Sequence, residues 1–274
     1  MKPSKKTLPT SNYRILLSGC WPADRVVVNE IRSRKEPVDE PNDLEAFWRQ
    51  KIRENPALFN GELAALVEAV PRGNHLELTL SATTYRYLLY SNSKAETWRR
   101  RGQHERLSRA LGISAVVECS DHRLMLMHRS RAVGEYPDRL DVFGGHVDMH
   151  EHRNASGRLD VFLAIRDELR CELGVDDEAI QPMYCIGLAE NLYNHKPELI
   201  FWTRLSLTSE EVCSHARYGS EAGEFVRLVS LPFADFQRRA FSDFRPRLTP
   251  SAEASLALFR RFHRTRSADG SPLP

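Results

Sequence analysis

The sequence predicts an α/β protein, and three local features lead to this class. Two apolar, β-prone runs flank Ser120-Asp121-His122, a pair of glycines follows at Gly144-Gly145, and a helical pattern spans Val161–Leu173. Strands before and after an amphipathic helix are typical of a layered α/β core. The chain has 274 residues, of which 41% are hydrophobic. This is enough for one large domain or for a domain with a sizeable extension.

Composition and charge exclude several other classes. No apolar stretch reaches the ~18 residues of a transmembrane helix, and the basic N-terminus lacks the apolar run of a signal peptide. The formal net charge of +2 gives no argument for a nucleic-acid or membrane partner. The cysteines number five, without a CxxC pair, which predicts reduced thiols in a cytoplasmic protein. The oligomeric state stays open.

The first part of the chain is predicted to be an α+β extension over 13–111, after a flexible tail at 1–12. The main domain is expected at 112–265, and a second flexible tail at 266–274. The basic stretch 99–109 is interpreted as a solvated helix face rather than a nucleic-acid patch.

Four elements are expected within the extension. Residues 13–17 and 25–31 are short β-prone runs, and 75–80 alternates apolar and polar residues like a strand. Residues 44–53 have helical spacing, with Asp43 as the expected N-cap.

The main domain begins with the predicted β-hairpin and continues to the helix at Val161–Leu173. Asp160 can cap this helix and Gly174 suits its C-terminal end. Its buried stripe is expected to consist of Val161, Ile165, Leu169 and Leu173. Further strands are predicted at 183–188, 199–207 and 225–229, a short helix after Thr208 with a capping-box spacing to Glu211, and a last helix at 251–263.

The helix at Val161–Leu173 also carries residues suited to chemistry. Glu168, Cys171 and Glu172 project from one face, beside the apolar stripe. Two carboxylates one turn apart repel each other unless a cation lies between them, and oxygen ligands favour Mg²⁺ or Mn²⁺. The paired glycines allow a close backbone approach. A solvated acidic helix face is the alternative interpretation of the carboxylates.

Taken together, these residues resemble the Nudix box, GX5EX7REUXEEXGU, in which U is an aliphatic residue. The positions that match are Gly145, Glu151, Glu168, Leu169, Glu172, Gly174 and Val175. Three departures stand out. The spacer 152–166 has fifteen residues rather than seven, Asp167 replaces the usual Arg, and Cys171 replaces a Glu.

The resemblance implies a Nudix α/β/α sandwich and a metal-dependent diphosphatase. The family's pattern implies Glu168, Cys171 and Glu172 at the metal-binding positions, and Glu168, Glu172 and Glu151 as catalytic residues. Mg²⁺ is the implied cofactor, and Mn²⁺ is an alternative. A thiolate is a poor ligand for Mg²⁺, so Cys171 is expected to weaken the site unless water takes its place.

Scattered motifs are similar to the animal UDP-glucose/UDP-galactose diphosphatase branch of the family. They are Tyr85-Arg86, Ser91-Asn92, Arg129-Ser-Arg131, Leu140-Asp141, Gly144-Gly145-His146 and Ser206–Glu210. This likeness implies a small nucleotide-sugar substrate, a UDP-hexose, hydrolysed to UMP and sugar 1-phosphate. Other Nudix substrates (ADP-ribose, a CoA derivative, a dinucleotide) remain alternatives, as does a nucleotide-binding module with weak or no catalysis.

Further residues are expected around the substrate. Those assigned to substrate binding are Arg129, Arg131, Gly144, Gly145 and His146, and the general base is expected among Glu198, Glu221 and Glu224. A zinc site at His146, His150 and His152 is a minor alternative. The aromatic residues Tyr85, Tyr87, Tyr90 and Trp98 either pack in the core or stack a uracil.

Overall fold

The computed structural model describes residues 12–32, 36–37, 41–131, 136–219, 225–238 and 245–268. The strands are β1 (Tyr13–Trp21), β2 (Val26–Glu30), β3 (Glu62–Arg72), β4 (His75–Thr84), β5 (Gly112–Glu118), β6 (Arg123–Arg129), β7 (Leu140–Asp141), β8 (Phe143–His146), β9 (Ile180–Asn191), β10 (Pro197–Leu205) and β11 (Phe225–Pro232). The helices are α1 (Pro41–Glu54), α2 (Tyr85–Arg100), α3 (Val161–Leu173), α4 (Ser209–His215), α5 (Phe233–Arg238) and α6 (Pro250–Ala268).

A large mixed sheet forms the centre of the molecule. Its strand order is β1-β9-β10-β5-β6-β11, with β7 paired to β6 and β8 paired to β5. The pairing of β10 with β5 is parallel, whereas β9 with β10 and β5 with β6 are antiparallel. The first half of β5 pairs with β8 and its last two residues pair with β6. The sheet therefore splits beside β5.

Helices cover both faces of this sheet, which confirms the predicted α/β/α sandwich. On one face the apolar stripe of α3 packs in a core with Ile113 and Leu199. On the other face α6 packs with Ile200 and Trp202. Between α3 and α6 lies the one mixed sheet, and a second sheet of three strands, β2-β4-β3, comes from the preceding segment.

The segment before residue 112 is joined to the large sheet at two places. Strand β1 pairs with the edge strand β9. Within β3, Ala64 donates its N–H to Val147 O at 2.8 Å, and its carbonyl oxygen accepts the Leu111 N–H at 2.7 Å. These bonds hold the three-stranded sheet against the start of β5 and the end of β8. The proposed domain boundary at 111/112 stays a prediction.

Most expected elements are present, with some differences at their ends. The runs at 13–17, 25–31 and 75–80 correspond to β1, β2 and β4, and the helix expected at 44–53 is α1. Asp43 as the N-cap is wrong, because α1 begins at Pro41 and Asp43 lies in its first turn. The last helix, α6, extends to Ala268, three residues into the segment expected to be a tail.

The capping predictions around α3 and α4 are confirmed. Asp160 accepts hydrogen bonds from the N–H groups of Phe162 and Leu163 at 2.9 and 3.1 Å, and Gly174 ends α3 in the left-handed conformation with φ 62°. Thr208 and Glu211 form a reciprocal capping box on α4. Because these caps satisfy the free N–H groups of the first turn, they fix where each helix begins.

The basic stretch 99–109 makes contacts within the protein. Arg99 donates to Leu192 O at 3.2 Å, and the Arg106 guanidinium lies 4.8 Å from the centre of the Trp98 ring. Among the described residues, no helix is both long and apolar enough to cross a membrane.

Candidate active site

A cleft of about 1280 Å³ opens where β8 and β6 separate alongside β5. One side, here called the polar wall, consists of Ser114, Gly144, Gly145, His146, Glu168, Cys171, Lys196 and Glu198. Another part of the lining, here called the apolar wall, comes from α1, α2 and the loop between α1 and β3, and consists of Phe47, Leu58, Tyr85, Leu88 and Leu89. Both walls lie on the same cavity, so one ligand can contact both.

Both positions of the glycine pair in the polar wall exclude a larger residue, each because of a different neighbour. Gly144 has φ 146°, and a Cβ there would lie 2.0 Å from Ile113 O on β5. Gly145 leaves room for a carboxylate, because a Cβ there would lie 2.0 Å from Glu168 Oε1. The glycine pair therefore lets β8 pass close to β5 and lets Glu168 lie directly against the strand.

The three predicted metal-site residues lie on the face of α3 next to β8. Glu172 is buried, at 1% exposure, and its Oε2 accepts the Gly144 N–H at 3.0 Å. Glu168 and Cys171 are half-buried and line the cleft. The apolar stripe of α3 faces the core beside them, as the sequence indicated.

Asp167, which replaces the usual Arg of the box, lies near an arginine and a histidine. Asp167 Oδ1 lies 3.0 Å from Arg170 Nη1, and its Oδ2 lies 3.9 Å from His152 Nε2. Arg166 is directed elsewhere, to Ile180 O at 3.4 Å. Arg166 therefore does not take over the position that the family gives to Arg, and Arg170 lines the cleft instead.

His152 supports the loop that follows β8. Its Nδ1 accepts the Asp148 N–H at 2.9 Å, which requires a neutral ring with the proton on Nε2. Burial lowers the pKa of His152, while the Asp167 carboxylate acts in the opposite direction. The side chain is therefore a neutral structural support at neutral pH.

The lengthened spacer after Glu151 docks the box onto the three-stranded sheet. Arg153 forms a bidentate ion pair with Glu30 of β2 at 2.8 and 3.0 Å, and His150 Nε2 lies 2.8 Å from Glu62 Oε2 of β3. Glu151 itself has an exposed side chain at the rim of the cleft. The three histidines considered for zinc thus have separate neighbours, and the described residues contain no group of three metal-ligating side chains.

Glu198 lies within a second polar group on the wall, across β5 from β8. It is buried, accepts a hydrogen bond from Ser114 Oγ, and its Oε2 lies 3.7 Å from Lys196 Nζ. Lys196 Nζ also donates to His146 Nε2 at 3.2 Å. Burial, assisted by the Lys196 charge, holds the pKa of His146 well below its usual value. His146 is therefore neutral, and any hydrogen bond that it donates comes from Nδ1.

The two arginines expected at the substrate have different surroundings. Arg129 lines the cleft and lies 3.3 Å from the Asp141 carboxylate, which also accepts from Thr249 Oγ1 at 2.6 Å. Burial raises the pKa of Asp141, and the Arg129 charge opposes this. Arg131 is 86% exposed, pairs with Asp138 at 3.4 Å and does not line the cleft. Its assignment to substrate binding is withdrawn for this reason.

The aromatic residues of α2 separate into two groups. Tyr87, Tyr90 and Trp98 are 1–2% exposed and form a core cluster with Leu44 of α1. These three rings therefore pack in the core and are not available to a ligand. Tyr85 lines the cleft on the apolar wall.

Two of the three base candidates, Glu221 and Glu224, lie outside the described residues. Glu198 is the remaining candidate, and the structure places it in the cleft. Sequence reasoning missed Lys196 and Ser114, which surround Glu198. In the sequence, both residues are notable only for lying near the start of a strand. The parallel pairing of β10 with β5 then brings them together in the structure.

The donor set on α3 fits a hard divalent cation that keeps some of its water. Two carboxylates supply oxygen ligands of the kind that Mg²⁺ prefers, and Mg²⁺ is often held by only one or two protein carboxylates. The charge around the cleft points in the same direction, since eight acidic and four Lys or Arg side chains line it. A substrate diphosphate would meet this acidic excess, and a cation would offset it.

Comparisons with known proteins place the chain among related sequences. It is 28% identical over 257 residues to the human uridine diphosphate glucose pyrophosphatase NUDT22, covering 84% of this chain and 85% of the relative. It is 28% identical over 242 residues to the bovine protein of the same name, covering 79% and 83%. To Nudix hydrolase 9 of Arabidopsis thaliana it is 25% identical over 245 residues, covering 74% and 77%.

These relatives confirm the predicted resemblance to the Nudix hydrolases. No family model matches the sequence. Among solved structures, the Nudix hydrolase RenU from M. smegmatis is 12% identical, with coverage of 60% of this chain and 88% of that one and a TM-score of 0.33. The assignment depends on the sequence relatives, not on this structural likeness. A Nudix-type diphosphatase, the predicted enzyme class, is thereby confirmed.

Proposed function

We propose that this Nudix hydrolase cleaves the diphosphate of a UDP-sugar, giving UMP and sugar 1-phosphate, with Mg²⁺ as cofactor and Mn²⁺ as an alternative. The observation that carries the proposal is the shared cleft of Glu168 and Glu198, with Glu172 directly behind β8. The relatives named UDP-glucose pyrophosphatase support the choice of substrate.

The polar wall supplies the residues that this reaction needs. Glu168 and Glu172 would hold the metal ion, which neutralises diphosphate charge and makes a bound water more acidic. Glu198 is proposed as the base, because Ser114 and Lys196 hold its carboxylate in one orientation within the cleft. Water attacks phosphorus, its proton passes to a carboxylate oxygen of Glu198, and the phosphate oxygen on the other side of the scissile bond leaves.

The apolar wall suits the other parts of a nucleotide sugar. Tyr85 presents the one aromatic ring of α2 that lines the cleft, and an aromatic ring can stack a nucleobase. Phe47, Leu58 and Leu89, which are half-buried, extend this surface. We assign the uracil to the apolar wall and the diphosphate to the polar wall.

A panel of diphosphate compounds tests this proposal directly. The purified chain is incubated with UDP-glucose, UDP-galactose, ADP-ribose, a CoA derivative and a dinucleotide in Mg²⁺. A coupled phosphatase then releases phosphate from newly formed monoesters. We expect the highest kcat/KM with a UDP-hexose, and UMP with hexose 1-phosphate as products. Preference for another compound would assign a different Nudix substrate.

Asp167 and Cys171 depart from the family's pattern, so a protein that binds a nucleotide without cleaving it is the main alternative to test. Calorimetric binding of UDP-glucose without product formation, in both Mg²⁺ and Mn²⁺, would establish that role and reject hydrolysis. Addition of EDTA to the active wild type provides the metal control, and we expect it to stop turnover.

A further inference from the structure

Lys196 lies in the turn between β9 and β10, and this turn is fixed by hydrogen bonds on both sides of the residue. Its N–H donates to Asn194 Oδ1 at 3.1 Å, and its carbonyl accepts the Asn191 N–H at 3.0 Å. Asn194 is itself buried and donates to Asn92 Oδ1 of α2 at 3.1 Å. The backbone that carries the lysine is therefore held in one place.

Contacts within the polar wall also restrict the side chain of Lys196 and its ammonium group. The side chain is 15% exposed, and Nζ lies 3.2 Å from His146 Nε2 and 3.7 Å from Glu198 Oε2. Its Cε passes over Gly112, where a Cβ would lie 2.9 Å away. A lysine normally loses much rotamer freedom when it binds a ligand, but here most of that freedom is already lost.

The position of the ammonium relative to the α3 carboxylates follows from strand register. Gly112 on β5 pairs with Glu198 on β10 and with His146 on β8. The next residue of β8 towards its start is Gly145, which Glu168 covers. The ammonium group of Lys196 therefore lies against His146 and the carboxylate of Glu168 lies against Gly145, and these are consecutive residues of β8.

Each Lys or Arg that lines the cleft has a carboxylate near it. Lys51 lies 2.7 Å from Glu54, Arg170 lies 3.0 Å from Asp167, and Arg129 lies 3.3 Å from Asp141. Lys196 lies 3.7 Å from Glu198 and also contacts His146. Lys196 is the cation of this group that belongs to the polar wall, so an anion held at that wall would meet an ammonium group that is already in place.

We propose that Lys196 binds a diphosphate oxygen of the ligand, with His146 and Glu198 keeping its ammonium in position. The assignment deepens the proposed function by giving the diphosphate a protein ligand opposite the α3 carboxylates. It rests on that function only for the identity of the nucleotide, because a lysine in this place would recognise any organic diphosphate.

The test measures binding without turnover and without metal. UDP and uridine are titrated into the wild type and into Lys196→Met and Lys196→Arg in the presence of EDTA. We expect Lys196→Met to weaken UDP binding about tenfold or more, since a charged hydrogen bond is lost. Uridine affinity should be unchanged, and Lys196→Arg should retain most of the UDP affinity. Lys51→Met is the matched control, because Lys51 lines the same cleft and pairs with Glu54, and we expect it to shift UDP binding by less than threefold.

Two outcomes would overturn this assignment. If Lys196→Met binds UDP like the wild type but has a lower kcat, Lys196 merely orients Glu198. If UDP and uridine affinities fall together, or the melting temperature drops in both Lys196 variants, the residue is structural. Failure of the proposed function is distinguished by a separate measurement. If the wild type hydrolyses no UDP-sugar, the proposed function is wrong, but Lys196→Met can still bind UDP more weakly than the wild type does.

Discussion

The two walls of the cleft are built in opposite ways. Glu198 on the polar wall and Glu172 directly behind it are buried, and each has a defined hydrogen-bond donor. On the apolar wall, Phe47 and Tyr85 are half-buried, and they come from helices outside the main sheet. The polar wall holds charges rigidly, as catalysis of phosphoryl transfer requires. The apolar wall offers surface, which can select a substrate without taking part in the reaction.

The largest expected effect is the loss of a carboxylate of α3, either Glu168 on the polar wall or Glu172 behind it. Glu168→Gln and Glu172→Gln should each lower kcat by about 10²-fold or more, since each removes a charged metal ligand worth several kcal/mol. The amide keeps the size of the side chain, and in Glu172→Gln it can still accept the Gly144 N–H, so folding should be retained. Turnover and circular dichroism are compared with those of Glu178→Gln, an exposed residue outside the cleft lining. If both α3 variants turned over substrate at the wild-type rate, the metal site would have to lie elsewhere in the protein.

The matching change on the apolar wall should alter binding rather than chemistry. Tyr85→Ala is expected to raise KM for a UDP-sugar about tenfold, because a stacked base contributes ~1–3 kcal/mol, while kcat changes little. Steady-state kinetics of this variant are compared with Tyr193→Ala, which is 54% exposed and does not line the cleft. A fall in kcat at constant KM would contradict the division of roles between the walls.

A smaller effect is expected from restoring the family's third carboxylate. Cys171→Glu adds a hard oxygen donor, so the Mg²⁺ concentration at half-maximal rate should fall severalfold. In the wild type, Mn²⁺ should act at lower concentration than Mg²⁺, because it tolerates softer ligands. Metal titrations are run beside Cys171→Ser, which keeps the size without a charge, and melting temperatures control for crowding. An unchanged Mg²⁺ requirement in a stable Cys171→Glu protein would show that residue 171 does not face the metal.

The smallest effect concerns stability at low pH and arises in the loop that follows β8, which His152 supports. The pKa of His152 is lowered in the folded protein, so below the unfolded value of about 6.5 the unfolded chain binds more protons. The stability that this group contributes is present above pH ~6.5 and is lost as pH falls towards the folded pKa, by at most about 1.4 kcal/mol per pH unit.

His152→Gln should therefore flatten the pH dependence of the unfolding free energy between pH 7.5 and 5.5. Its amide oxygen can still accept the Asp148 N–H. Urea unfolding at the two pH values provides the measurement, with His150→Gln, an exposed neighbour, as the control. Equal slopes in the wild type and His152→Gln would exclude His152 as a source of acid sensitivity.

Local sequence was informative wherever a hydrogen bond or a short repeat defined the structure. The caps Asp160, Gly174 and Thr208 fix helix ends through groups only a few residues apart, so α3 and α4 were predicted correctly. The helix α2 was missed, because two tyrosines, a serine and a tryptophan interrupt its buried face, which has only Leu88 and Ala95 as aliphatic residues.

The sequence by itself determined the helix that carries Glu168 and Glu172, the glycine turn before it and the resemblance to the Nudix family. These features are local, since their spacing alone places them on one helix face or in one turn. Only the tertiary structure decided which further residues complete the site. Glu198 and Lys196 reach β8 through the parallel pairing of β10 with β5, and Tyr85 reaches the cleft through α2. Strand order and register depend on contacts between distant segments, and no short pattern in the chain specifies them.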